Sequence, residues 1–279
     1  MPDQTDHLLS AADRTAHLAE TISLRFAREL AKVWREAERQ LRPLIDAVAG
    51  GSPSAVVRLA QAQQARAELQ TILRKAGYAD LVDAGTSKPF NDIAAQVLSR
   101  RKLAAGAAKL AEGIPIRLQA LQFIHAQDLL EEGQGISRAL AQAVTRGIIS
   151  GRPSKVIFGD AVGELEYGES QIQTLYDTTV SIYGREVEAI QAGNDPDTRF
   201  LYSGPVDKKT RDFCMDHVGK VYTRAEIDAL DNGQLDNVFL TGGGYNCRHV
   251  WMELSAASEL WDLKGRIPEV QRQVGAAEK

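Results

Sequence analysis

Residues 199–251, RFLYSGPVDKKTRDFCMDHVGKVYTRAEIDALDNGQLDNVFLTGGGYNCRHVW, decide how this chain is read. They include both cysteines of the protein, Cys214 and Cys247, and two of its five histidines, His217 and His249. The four form two pairs, Cys214-x-x-His217 and Cys247-x-His249. A C-x-x-H pair on a tight turn offers two ligands to one ion, and residues i and i+2 of a strand point to the same face. Thiolate and imidazole are the ligands zinc prefers, and a structural site closes with four of them in a tetrahedron. Three readings stand side by side here: a metal centre made by the four residues, a disulfide between the two cysteines, or two free thiols buried as small hydrophobes. A reducing cytosol disfavours the disulfide.

Around these pairs the residues suit a small stapled α/β module. Phe200, Leu201 and Tyr202 make an apolar run that predicts a strand, ended by the turn residues Ser203, Gly204 and Pro205. Asp207 is placed to cap a short helix carrying Thr210, Arg211, Phe213 and Cys214. Residues 219–222 predict a second strand. Thr223 and Glu226 have the spacing of a capping box for a helix through Leu230, stopped at Asn232-Gly233. Residues 238–240 and 245–252 predict two more strands, joined by Gly242, Gly243 and Gly244. That glycine run lacks the helix and lysine of a phosphate loop, so it reads as a turn needing close backbone approach. Arg211, with five donors in a planar fork, is expected to tie loops of the module together.

The same stretch resembles the C-terminal signature of tailed-phage minor head proteins, the Mu F-like head morphogenesis family. That pattern has an aromatic strand, a turn, Asp-x-x-Thr-Arg-x-x-Cys, Gly-Lys-x-Tyr, and Asn-Cys-Arg followed by His or Cys. Here the matching residues are Asp207, Thr210, Arg211, Cys214, Gly219, Lys220, Tyr222, Asn246, Cys247, Arg248 and His249. The resemblance covers about the last third of the chain, one domain-sized piece. Many relatives carry a second cysteine where this chain has His217, a change from one zinc ligand to another. The resemblance implies a virion protein of low copy number, made in the bacterial host cytoplasm and placed in the capsid interior or at the portal vertex. It implies the portal protein and other head proteins as partners, and a part in head assembly and genome delivery.

Upstream, the chain reads as alanine-rich helix. Aromatics make up 6% of the 279 residues, too few for a sheet-rich core, and 44% hydrophobic residues suffice for a packed one. Leu18, Ile22, Phe26, Leu30, Val33, Ala37, Leu41 and Leu44 recur at helical steps, predicting a helix over 11–48 about 57 Å long. Residues 1–10 are expected to be loose. Breaks are expected at 50–54, at 84–91 with Gly85 and Pro89, at 113–115, at 133–135 and at 151–154. A last long helix is expected over 170–192, then a helix over 256–263 and a flexible tail from Gly265. The fold class is therefore α+β, with three parts: a helical arm or bundle over 1–169, the head-morphogenesis domain over 170–254 with its lead-in helix 170–192, and a short helix and tail over 255–279. The module from about residue 170 onward is expected to fold alone.

Function classes narrow accordingly. The net charge of −4 argues against binding nucleic acid through bulk charge. The polar N-terminus predicts no signal peptide, and no apolar run predicts a membrane span. The triplet Arg100, Arg101 and Lys102 is the strongest basic cluster, a solvated helix end or a contact to packaged DNA phosphates. Two alternatives to the assembly role remain on the residues themselves. One is a zinc-ribbon DNA-binding module using Lys208, Lys209, Arg211, Lys220 and Arg248. The other is an enzyme, either a Cys214–His249 nucleophile–base pair or a metal-dependent nuclease, although no H-N-H or H-E-x-x-H arrangement is present. No catalytic residue is assigned. The metal set is Cys214, His217, Cys247 and His249 with Zn2+ as a structural cofactor, supported by Asp207, Thr210, Arg211, Lys220, Tyr222, Asn246 and Arg248.

Overall fold

The computed structural model describes residues 4–48, 54–105, 114–193 and 195–277. Six helices come first: α1 (Gln4–Val48), α2 (Ala55–Leu69), α3 (Ile72–Lys75), α4 (Tyr78–Ala105), α5 (Ile114–Ile149) and α6 (Ser154–Ala192). The smaller elements follow: β1 (Arg199–Ser203), α7 (Asp212–His217), β2 (Val221–Thr223), α8 (Arg224–Asp228), α9 (Val238–Thr241), β3 (Val250–Glu253) and α10 (Pro268–Ala277). The fold is α+β, mostly helical with one small antiparallel sheet near the C-terminus. No described helix is long and apolar enough to cross a membrane.

The long helices run through several expected breaks, and packing explains why. Gly85, Pro89 and Asn91 lie inside α4. Pro89 has no N–H to give the carbonyl four residues back, which is that of Gly85. The buried Tyr176 hydroxyl donates to the Gly85 carbonyl at 2.6 Å in its stead. Gly85 also has no room for a side chain, since a Cβ there would meet the Phe26 ring at 2.8 Å, and Phe26 stacks on Tyr176 with centroids 3.6 Å apart. Gly133 likewise sits within α5 because a Cβ would fall 2.2 Å from the Tyr78 ring. These glycines serve close helix packing, not turns. Residues 154–192 form one helix, starting well before the expected 170, and α1 begins at Gln4, taking in residues expected to be loose, with Pro43 inside it. Gln70 and Thr71 separate α2 from α3.

The backbone clusters into two compact units: residues 1–23, 87–122 and 177–279, and residues 24–86 and 123–176. These do not follow the expected division at residue 170. The second unit is all helix. Its interior includes Phe26, Leu30, Trp34, Leu41, Leu73, Tyr78, Leu129, Leu140, Leu165 and Tyr176, all buried. The Trp34 indole N–H donates to the Leu165 carbonyl at 2.6 Å, and the Tyr78 hydroxyl to that of Leu129 at 2.7 Å.

The first unit contains the sheet, in the order β2-β1-β3 with both pairings antiparallel. Tyr202 of the central strand faces Trp251 in register. Leu8 and Ala12 from the start of α1 join Phe200, Leu201, Val218, Ile227, Phe239, Trp251, Met252 and Val270 in one core. A module from residue 170 onward would lack Leu8 and Ala12 of this core. Three local expectations also change. Residues 238–241 form helix α9, not a strand, because the Asn237 side chain caps it by accepting from the Leu240 N–H. Of residues 245–252 only those from Val250 onward are strand. Residues 256–263 form turns, and the expected tail is ordered: Arg266 bridges to Lys220, and Val270 and Val274 of α10 are buried.

Candidate metal centre

Helix α7 starts at Asp212 and turns Cys214 into the core, where it is buried. Thirty-three residues on, the turn after α9 brings Cys247 to the same place, with the two Sγ atoms 3.7 Å apart. That is far outside the S–S bond length of about 2.05 Å, and both cysteines are free. His249 follows two residues later, its Nδ1 4.0 Å from the Cys247 Sγ. Residues 247–249 precede β3, so the strand alternation expected to align the pair is not what does so. One ligand atom from each of Cys214, Cys247 and His249 lies within 4.8 Å of the others, all three residues are buried, and the group can hold a metal ion.

His217, the expected fourth ligand, is not in this group. It lies one turn past Cys214 and faces away, with Nδ1 hydrogen-bonded to the Tyr222 hydroxyl at 2.6 Å and its ring against Phe213. Burial and the nearby Lys220 hold its imidazole below the usual histidine range. Tyr222 thus supports His217, not the sulfurs.

Tyr202 takes the place nearest the sulfurs. Its hydroxyl lies 3.4 Å from each Sγ, and its ring is stacked on His249 and packed against Trp251. Complete burial and the two adjacent sulfurs push its phenol well above the ordinary range, so it keeps its proton beside the thiols. The two cysteines are driven apart. Cys247 is held well below its ordinary value, first by the hydrogen bond from Cys214 and then by the charge of Arg185 and by His249. Cys214, donor in that pair and itself buried, is pushed up. The backbone N–H of Gly243 donates to the Cys247 sulfur at 3.1 Å, further favouring a thiolate there.

The scaffold around the sulfurs is held by arginines and amides. Arg185 on α6 is fully buried and spreads its fork over three carbonyls. It donates to Leu240 at 3.0 Å, to Cys247 at 2.7 Å and to His249 at 3.0 and 2.8 Å. Arg211 donates to the Gly243 carbonyl at 3.0 Å, the loop-tying role expected of it. Gly243 must be glycine, because a Cβ would lie 2.3 Å from the Cys214 Sγ. Asp207 does not cap α7. It accepts both nitrogens of Arg248, at 2.7 and 2.5 Å, and the Lys209 N–H at 2.8 Å. Thr210 donates to the Pro205 carbonyl at 3.0 Å, and the Asn246 N–H donates to the Thr178 hydroxyl at 3.1 Å. Lys220 contributes through its backbone, its carbonyl accepting the Tyr202 N–H at 3.0 Å.

The basic triplet on α4 is not a surface patch at Arg100. That side chain is buried and donates to Glu188 at 2.8 Å, while Glu188 also accepts the Glu253 N–H of β3 at 3.1 Å. This removes Arg100 from any DNA contact; the side chains of Arg101 and Lys102 lie outside the described ones. Arg185 and Tyr202 are the two residues that the motif reading missed. Arg185 lies on the face of α6 opposite the apolar stripe of Tyr176, Tyr183 and Val187, where a charge reads as solvated, yet it is buried. Tyr202 is an aromatic in a strand, whose role depends on what folds over it.

No family model matches this chain, and no curated protein or solved structure is significantly similar to it.

Proposed function

We propose that this protein is a minor head protein of a tailed phage, acting at the portal vertex in head assembly and genome delivery, with a C-terminal module stapled by zinc. The carrying observation is that the residues of the head-morphogenesis signature interlock. Asp207 pairs with Arg248, Arg211 holds the Gly243 loop, and Cys214 meets Cys247 and His249 although they are distant in sequence. A signature met by chance has no reason to fold into one supporting network.

The zinc reading rests on the chemistry and spacing of the donors. Tetrahedral legs of about 2.3 Å to sulfur place two sulfurs about 3.8 Å apart, and the observed separation is 3.7 Å. His249 brings its Nδ1 to 4.0 Å from the Cys247 sulfur, and its buried Nε2 has no hydrogen-bond partner among the described residues. The site is closed: its three residues are buried, and the neighbouring cavity, lined by Thr15, Val180, Cys247 and His249, is about 20 Å3, room for one water. That burial supports a staple over an enzyme. Arg100, Arg211 and Arg248 are taken up by Glu188, Gly243 and Asp207, which supports protein partners over DNA.

Purified full-length protein is expected to carry stoichiometric zinc and to co-sediment with portal rings. Metal-free protein that ignores portal and head proteins, yet shifts DNA in a salt-dependent manner, overturns this reading.

A further inference from the structure

We infer that the Tyr202 hydroxyl, not His217, is the fourth ligand of the cation held by Cys214, Cys247 and His249. This rests on the metal reading above and specifies its coordination. The first ground is position. A tetrahedral ion with legs of about 2.3 Å to sulfur and 2.0 Å to oxygen sets each O···S edge at about 3.5 Å. The Tyr202 oxygen stands 3.4 Å from both sulfurs, equidistant, as a fourth vertex requires. Its ring has no freedom to leave, being packed among His249, Trp251 and Phe213 with centroids 5.3, 4.3 and 6.2 Å away. His217 would have to give up its 2.6 Å hydrogen bond to Tyr222 and swing around α7 to take that vertex.

The second ground is charge. Arg185 is buried and donates to three carbonyls; no carboxylate pairs with it among the described residues. A lone buried charge is costly unless something nearby offsets it. Two cysteines, two histidines and a dication form a neutral centre and leave Arg185 without an offset. Two thiolates, one phenolate, one neutral imidazole and a dication carry a net single negative charge. Arg185 lies beside that charge, donating to the backbone carbonyls of Cys247 and His249, two of the ligand residues. On metal entry the Cys214 thiol proton and the Tyr202 phenol proton leave to solvent, and the cation takes their place.

The test uses the full-length protein, stripped with a chelator and titrated with Zn2+, beside Tyr202→Phe and His217→Ala. Near-ultraviolet difference absorbance reports phenolate formation, and competition with a chromophoric chelator reports affinity. Wild type is expected to gain one phenolate per bound zinc. Tyr202→Phe should gain none and bind zinc at least about tenfold more weakly, while His217→Ala matches wild type in both. Zinc bound without a phenolate signal, or an affinity lost in His217→Ala and kept in Tyr202→Phe, overturns the assignment while leaving a metal centre standing. Failure of wild type to bind zinc overturns both. If Tyr202→Phe does not fold, the wild-type signal decides, with Tyr222→Phe as the control that must retain it.

Discussion

Replacing Arg185 by methionine should damage the C-terminal module more than any single ligand change. Methionine fills much of the same space but donates nothing. The carbonyls of Leu240, Cys247 and His249, all served by the guanidinium, would be left inside the protein without their donor. A buried acceptor stripped of its partner costs about 1–3 kcal/mol, so three of them, after partial relaxation, give about 3–5 kcal/mol. That is a large share of the roughly 5–15 kcal/mol that holds a domain together. Arg185→Lys keeps the charge but loses the planar fork, and should fall between the two. Amide exchange of peptides covering β1, α9 and β3 measures the effect locally. Protection there is expected to drop about a hundredfold to a few thousandfold in Arg185→Met, since about 1.4 kcal/mol is tenfold. A drop of less than about tenfold would refute the idea that Arg185 organises the site.

Three further outcomes follow from named contacts. Arg248 holds the Asp207 carboxyl down from 3.8 to about 2, so this pair stabilises the fold above the unfolded value and loses that effect as pH falls through 4 towards 2. Melting curves of wild type and Asp207→Asn should therefore differ at pH 6 and converge at pH 2, and parallel curves throughout would count against it. Tyr176→Phe should cost about 1–3 kcal/mol in urea unfolding by orphaning the Gly85 carbonyl, and much less in a Pro89→Ala background, where an N–H is restored. Equal costs in both backgrounds would show that the hydroxyl does not stand in for the missing N–H. Gly243→Ala should cost about 1–3 kcal/mol by overpacking and abolish zinc uptake, because its Cβ collides with the Cys214 sulfur; normal zinc content would contradict this.

The parts legible in the sequence are those set by local chemistry. The capping box of Thr223 and Glu226 forms as read, and the apolar run at 200–202 is the central strand. Cys214, Cys247 and His249, three of the four residues read as a set, do lie together. What escaped is set by distant partners. Gly85 and Gly133 carry the signature of a break, yet each is a notch for an aromatic ring from elsewhere in the chain. Nothing near residue 89 announces that Tyr176 will serve the carbonyl the proline leaves free. Asn237-Val-Phe-Leu alternates no differently from a strand, and only its cap reveals a helix. His217 stands apart from the sulfurs for a similar reason. C-x-x-H gives two suitable side chains, but the competing hydroxyl of Tyr222 lies in the next strand.

Leu8 and Ala12 share a core with Phe239, Trp251 and Val270, residues more than two hundred positions further along. On a ribosome the first turns of α1 emerge long before the strands they must cover exist. They spend most of synthesis without their own core, exposing apolar side chains that a chaperone or a neighbouring nascent chain can engage. Contacts of such sequence separation slow folding, because the loop must close before any of them forms. The core beneath the C-terminal sheet is therefore complete only once residues more than two hundred positions apart have met.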